Sequence, residues 1–319
     1  MLARIQGSSG WRKPTESGTY DAAGITTTAI RNTQELLVIN FGLTVTTQTQ
    51  EIVLRARSGW QPVEFKELWT NRELFGFLVW RDISIRYKQT FLGGLWAVLQ
   101  PLLAMLIFTV FFNRMAGIQG DGVPYPLFAY TGLILWTFFA NSITASSNSL
   151  VGNQVLVSKV YFPRIFIPIA AIGAIVLDLA ISFLILVPMM FYYKWHVSLS
   201  MLWVPLFILG TILAASGVGL FLSALNVSFR DVKYIVPYFT QIGIFVTPVI
   251  YPLRYVPQRY QLLLALNPMS GMVSGFRTTL LGQPTDWKLV GASLTVSTIL
   301  FLTGLFTFRR MERRFADII

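Results

Sequence analysis

Cysteine is absent from these 319 residues, so neither disulfides nor thiolate metal sites are available. Charge is scarce: Asp, Glu, Lys and Arg make up 12% of the chain, against about 25% in an ordinary soluble protein. Acids are scarcer than bases, 14 against 25, which leaves a formal net charge of +11. Histidine occurs once, as His196. With no cysteine and no clustered acids beside it, metal catalysis and Ser-His nucleophilic chemistry have no residues to work with, and an enzyme is not expected. No G-x-x-x-x-G-K-[ST] stretch occurs; the chain does not bind nucleotide through a P-loop, and any ATP hydrolysis belongs to another subunit. The first residues carry no apolar h-region, so no cleaved signal peptide is expected and the first span does the targeting.

What the chain has in abundance is apolar sequence, 54% of its residues. A hydrocarbon core of about 30 Å takes roughly 20 helical residues at about 1.5 Å each. Six runs approach that length: Phe91 to Phe112, Tyr125 to Ile143, Ile165 to Tyr192, Leu199 to Leu225, Ile235 to Tyr251 and Leu289 to Phe308. The fifth is short and carries Gln241 and Thr247-Pro248, which reads as a kinked span. The expected fold is an all-α polytopic membrane protein with six transmembrane helices over residues 91–308.

Six spans put both termini on one side, and Lys and Arg sort the sides. The termini share their face with Arg81, Arg86, Lys88, Lys159, Arg164, Arg230, Lys233 and the arginines of residues 309–319. The opposite face has only Arg114, Lys194, Arg254, Arg259, Arg277 and Lys288. That imbalance places both termini in the cytoplasm. The positive charge then reads as topology and contact with anionic lipid, and nucleic acid is not an expected partner.

Residues 1–48 are rich in Ser, Thr, Gly and Gln and read as a flexible cytosolic extension, in which LLVINFGLTV could form a strand. Residues 49–90 turn helical from Phe65. Phe65, Leu68, Trp69, Phe75 and Val79 share a sector of about 120° at 100° per residue, interrupted by Arg72, whose long side chain can snorkel. This predicts an amphipathic helix at the cytoplasmic interface. Trp80 and Tyr87 would lie in the aromatic belt, with Arg81, Asp82, Arg86 and Lys88 among the headgroups. The alternative is a solvated helix docked on the protein itself.

Between the second and third spans, NSLVGNQVLVSKVYFPRIFIP reads as a short cytoplasmic helix that a partner could grip, or as a structural turn punctuated by Pro163 and Pro168. Between the fifth and sixth, YQLLLAL and MSGMVSGF are too short to cross and predict two re-entrant or interfacial helices broken at Asn267-Pro268. One acid, Asp178, lies inside a span, at a cost of about 2.5–3.5 kcal/mol on insertion scales. It could be an ion-coupling carboxylate or a packing carboxylate; no second acid or base in the spans accompanies it. Gly210, Ala214, Gly217, Gly219 and Ala224 suit close helix packing.

Several motifs in order carry a family resemblance. WRDISIRYKQTFLGGLWAVLQPLL, VPYPLFAYTGLILWTFFANSI, SSNSLVGNQVLVSKVYFPRIFIPIA, ALNVSFRDVKYIVP with VTPVIYP, and LNPMSGMVSGFRTTLLG resemble the permease subunit of ABC-2 type exporters. Within that group they look most like exporters of O-antigen, teichoic acid or capsule polysaccharide. The resemblance runs from about Glu51 to the C-terminus. It implies a permease homodimer in the inner membrane, paired with two copies of a separate ATPase that holds ATP and Mg, with no cofactor on this chain. It implies that residues 80–88 end the interface helix and that Val157, Ser158, Lys159, Val160, Tyr161, Phe162, Pro163 and Arg164 form the coupling helix. External gate helices fall at residues 258–281, including Asn267, Pro268, Gly275 and Arg277. Trp96, Phe108, Trp136, Phe139 and Phe245 could stack on the sugars of a lipid-linked glycan, or could serve lipid contact and dimer packing. An ABC-2 exporter of a small lipid or drug, and an ion-coupled carrier centred on Asp178, are the rival functions.

Overall fold

The computed structural model describes residues 20–22, 25–27, 35–39, 43–47, 65–88, 95–160, 162–195 and 198–315. They fall into two units, Met1–Gly59 and Trp60–Ile319. In the first, strand β1 (Tyr20–Ala22) pairs antiparallel with β2 (Ile25–Thr27), and β3 (Glu35–Ile39) with β4 (Leu43–Thr47). LLVINFGLTV is therefore not one strand but the two arms of a hairpin, in register from Glu35 opposite Thr47 to Ile39 opposite Leu43.

The named elements of the second unit are all helices. A short α1 (Phe65–Thr70) and α2 (Arg72–Lys88) precede α3 (Leu95–Phe108), which continues as a wider π-helical segment to Met115. Then follow α4 (Tyr125–Gly152), α5 (Gln154–Lys159), α6 (Phe166–Tyr192), α7 (Val204–Ser228, entered through the turn Leu199–Trp203), α8 (Val232–Val246), α9 (Gln258–Ala265), α10 (Pro268–Leu280) and α11 (Trp287–Met311). Starts follow the capping rules. Pro126 and Pro205 sit in first turns, where a missing N–H costs nothing. The Asn267 side chain accepts from the Met269 N–H, and that of Asp286 from Lys288 and Leu289.

Five of these helices are long and apolar enough to cross a membrane: Leu95–Met115, α4, α6, Leu199–Ser228 and α11. The expected sixth, α8, has 15 residues, about 22 Å of helix against a core of about 30 Å. The run read as a span to Tyr251 leaves the helix at Thr247, because Pro248 has no N–H to continue it; residues 247–250 are buried but not helical. The expected start of the first span at Phe91 lies outside the described residues.

Helix α4 is the hub, packed by α3, α6, α7, α8 and α10. Its residues from Leu127 to Leu135 are all buried, as expected of a helix apolar on every side. A second core closes one end, where Leu78, Leu150, Val157, Phe166, Leu220, Phe308 and Phe315 bring together α2, α4, α5, α6, α7 and the end of α11. The outer faces stay apolar: Leu103, Leu106 and Ile107 on α3, Leu302 and Phe306 on α11. In water such surfaces would aggregate; against acyl chains they cost nothing.

Candidate functional site

The stretch expected to couple to a partner has two faces. Val157 is buried in the second core, Phe162 and Pro163 are buried after it, and Arg164 turns inward, its Nη1 donating to the Glu312 carbonyl at 2.7 Å. Glu312 in turn holds Arg309 at 3.1 Å, and burial pushes its carboxyl above the usual carboxylate range against the pull of Arg309. Val155, Lys159 and Val160 face outward along an open groove of about 520 Å³, and Ser158 is exposed beside them. Tyr161 lies outside the described residues. Arg164, placed with Lys159 in the coupling stretch by the resemblance, is half-buried and clasps this turn to the end of α11. Val157, inside α5, and Arg164, five residues past its end, fasten this stretch to the rest of the protein.

Helix α2 also differs from the single apolar sector expected of it. A break at Asn71 separates it from α1, and its apolar residues fall on two faces. Leu78, Phe75 and Val79 turn inward: the Phe75 ring lies 5.5 Å from that of Phe166, and Val79 fills the space left by Gly173. Trp69 and Trp80 are 71% and 67% exposed, with Phe77 and Ile85 beside them. One face of this helix is docked on the protein and the other is exposed and apolar.

Matched contacts from Phe75 at Phe166 to Tyr87 at Asp178 show α2 running along α6 in the same direction for twelve residues, about 18 Å. At its end Arg86 Nη2 lies 3.0 Å from Asp178 Oδ2, and the Tyr87 hydroxyl donates to Asp178 Oδ1. Asp178 therefore does have a basic partner. It comes from the helix before the first span, 92 residues away in the chain. Burial and the neighbouring carboxylate push the Tyr87 phenol well up, so it stays a proton donor. Arg81 pairs with its neighbour Asp82 at 2.7 Å, and Lys88 is exposed.

Helix α10 meets α4 and the segment after α8 at a buried cation. Arg277 of α10 is 4% exposed and faces no carboxylate within salt-bridge distance among the described residues. Its Nε donates to the Phe128 carbonyl at 3.1 Å, Nη1 to Pro248 at 3.0 Å and Nη2 to Val249 at 2.6 Å, while the guanidinium stacks 3.7 Å above the Phe128 ring. The break after α8 frees carbonyls that the chain itself cannot satisfy, and Arg277 supplies the donors. Burial lowers its pKa to about 9, opposed by Tyr125 and Asp121, so it remains charged at neutral pH. Gly132 makes the site possible: a Cβ there would collide with Arg277 Nη2 and sit 2.9 Å from the Val249 oxygen. Asn267 donates to Thr247 Oγ1 at 2.8 Å, and a Cβ on Gly275 would strike the Phe207 ring. Pro268 occupies the first turn of α10. A count of loop charges does not register this role; its signal in the sequence is Pro248, whose neighbours need outside donors.

The five aromatic candidates do not share one surface. Trp136 and Phe139 are buried in the main core with rings 5.7 Å apart, Trp136 filling the space beside Gly243 and so packing α4 on α8. Phe108 is half-buried against Phe112, and Trp96 and Phe245 are exposed. Phe245 instead continues a stripe of Tyr234, Tyr238 and Ile242, all exposed at helical spacing on α8. Among the described residues no group of His, Cys, Asp and Glu could hold a metal, and His196 lies outside them.

Comparison with known proteins adds the lineage. The family model described as ABC-2 type transporter matches residues 73–281. The O-antigen export system permease protein RfbA of Klebsiella pneumoniae is 30% identical over 241 residues, 75% of this chain and 92% of that protein. RfbA of Myxococcus xanthus is 30% identical over 262 residues, 80% and 98% of the two chains. The polysialic acid transport protein KpsM of Escherichia coli is 24% identical over 239 residues, 71% and 87%.

Proposed function

The chain belongs to the ABC-2 type transporter family, and from that membership we infer the permease subunit of an ATP-driven exporter that moves polysaccharide across the inner membrane. The observation that carries this reading is the run of relatives named for O-antigen, polysialic acid and capsule export, matched over nearly their whole lengths. The chain is a multi-pass membrane protein and not itself an enzyme, and its family implies an ATPase partner.

The finer reading has two copies of that ATPase, carrying ATP and Mg, beneath a homodimer of this chain with both termini in the cytoplasm. Helix α8 serves as a short sixth crossing, and the cargo is a glycan on a lipid carrier. Support comes from the second core, which joins α5 to α2 and α11, so a push on α5 is passed to α2 and along α6 through Asp178. The α8 stripe offers aromatic faces to sugar rings. Asp178, committed to Arg86 and Tyr87, is poorly placed to carry a transported proton, which speaks against an ion-coupled carrier.

Separating the two faces of the coupling stretch tests the partner assignment. Lys159→Glu should weaken co-purification with the ATPase by about fivefold, the worth of roughly 1 kcal/mol at an exposed charge, without altering the melting of the permease alone. Arg164→Gln should do the reverse, lowering the melting temperature by loosening the end of α11. Full ATPase binding by Lys159→Glu would remove α5 from the contact.

A further inference from the structure

Where the end of α2 meets α3, α4 and α6, the packing leaves a cavity of about 170 Å³. Arg86, Tyr87, Asp178 and Ser182 form part of its wall, Gln100 of α3 and Thr137 and Asn141 of α4 the rest of its polar lining, and Trp96 contributes an indole that is half exposed. No hydrogen bond among the described residues uses the side chains of Gln100, Thr137 or Asn141. Gln100 is exposed and Thr137 and Asn141 are half-buried, so two amides and a hydroxyl with unspent capacity line an opening between apolar helices and are accessible to a polar occupant.

The lining says which kind. Arg86 is already neutralised by Asp178 at 3.0 Å, so the cavity has no excess positive charge to hold a phosphate. Amides and a hydroxyl both donate and accept, which suits a ligand whose hydroxyl groups do the same. An indole beside them suits a ligand with an apolar face. The volume would take about half a dozen waters at about 30 Å³ each, or one six-membered ring carrying hydroxyl groups.

We propose that this cavity is a subsite for a single neutral sugar ring, bridging Trp96 and Gln100 of the first span to Thr137 and Asn141 of the second. The proposal rests on the polysaccharide-export reading and adds a holding point in the wall behind α3. A ring bound there ties α3 to α4 next to the Arg86–Asp178 pair, so that occupancy is sensed where α2 is fastened to α6.

The test uses the chain with its ATPase in nanodiscs and saturation-transfer NMR. The probes are methyl glycosides of glucose, mannose, galactose and rhamnose, with inorganic phosphate followed by its phosphorus line width. Expected is transfer to the ring protons of at least one glycoside and no phosphate broadening. The signal should fall by about fivefold for each hydrogen bond lost in Asn141→Leu or Gln100→Leu. Thr137→Val, nearly the same shape, should weaken it as well and guards against misfolding of the larger replacements. No transfer to any glycoside, equal transfer in all three variants, or phosphate binding in place of sugar would overturn the proposal. Polysaccharide export is scored separately. Export without glycoside binding removes only the subsite, whereas glycoside binding without export removes the exporter reading on which it rests.

Discussion

Gly132→Ala is expected to destabilise the protein by about 3–5 kcal/mol, the range for a buried charge that loses its partners. One added methyl would occupy the place of the Arg277 guanidinium and press on the Val249 carbonyl. The cation would then be left buried without the three carbonyls it now holds. Arg277→Gln should cost less, because it removes the buried charge together with its donors; the strap at residues 247–250 then loses hydrogen bonds worth about 1–3 kcal/mol where they stay unsatisfied. The decisive quantity is the coupling between the two. In the double variant the methyl no longer displaces a cation, so the loss should fall short of the sum of the singles by roughly 2 kcal/mol. Thermal and denaturant unfolding of the four proteins in detergent measures it. Additive losses, within about 0.5 kcal/mol, would mean that Gly132 and Arg277 do not share a site.

A comparably large effect is expected where α7 and α11 touch backbone to backbone. A Cβ on Gly304 would run into the Gly217 carbonyl oxygen and lie 2.9 Å from its carbonyl carbon, and one on Gly217 would lie 2.6 Å from the Leu300 carbonyl carbon. No side chain can rotate away to make room. Gly304→Val must part the helices, which costs at least the roughly 1–3 kcal/mol of core overpacking and forfeits close contacts along both helices. The variant should melt early, or reach the membrane poorly and be cleared by proteolysis. Gly291→Val is the matched control on the same helix, since nothing lies within 4 Å of its Cβ. Equal behaviour of the two variants would show that the contact does not govern the packing of α11.

Much of this architecture can be read from the residues, and where it cannot the reasons are physical. Apolar runs gave the long helices because a helix buried in protein or lipid must be apolar on all sides, whichever neighbours it has. Asn267-Pro268 marked the start of α10, since a cap followed by proline is local chemistry. The end of α8 was misplaced: Thr247 to Tyr251 is apolar enough to span, and only the missing N–H of Pro248 tells otherwise.

Pairings across the chain were invisible. Asp178 looked solitary because its cation, Arg86, belongs to a helix read as interfacial. Arg164 and Arg277 were sorted by loop because charge counting assigns a side of the membrane and is blind to a guanidinium turned inward onto carbonyls. Trp136 and Phe139 could serve a sugar path or packing as far as the sequence goes; both are buried, and Gly243 makes room for Trp136 on a facing helix. In each case the missing information was a partner distant in the chain.

The account stands or falls on whether this chain carries polysaccharide outward. In the strain that bears it, the gene is deleted and the glycan is quantified twice, on the cell surface and as material retained inside. Loss of surface polysaccharide with internal accumulation is expected. Both should be reversed by the wild-type chain together with an active ATPase, and not when that ATPase cannot hydrolyse ATP. Unchanged surface polysaccharide in the deletion strain, with nothing retained inside, would contradict it.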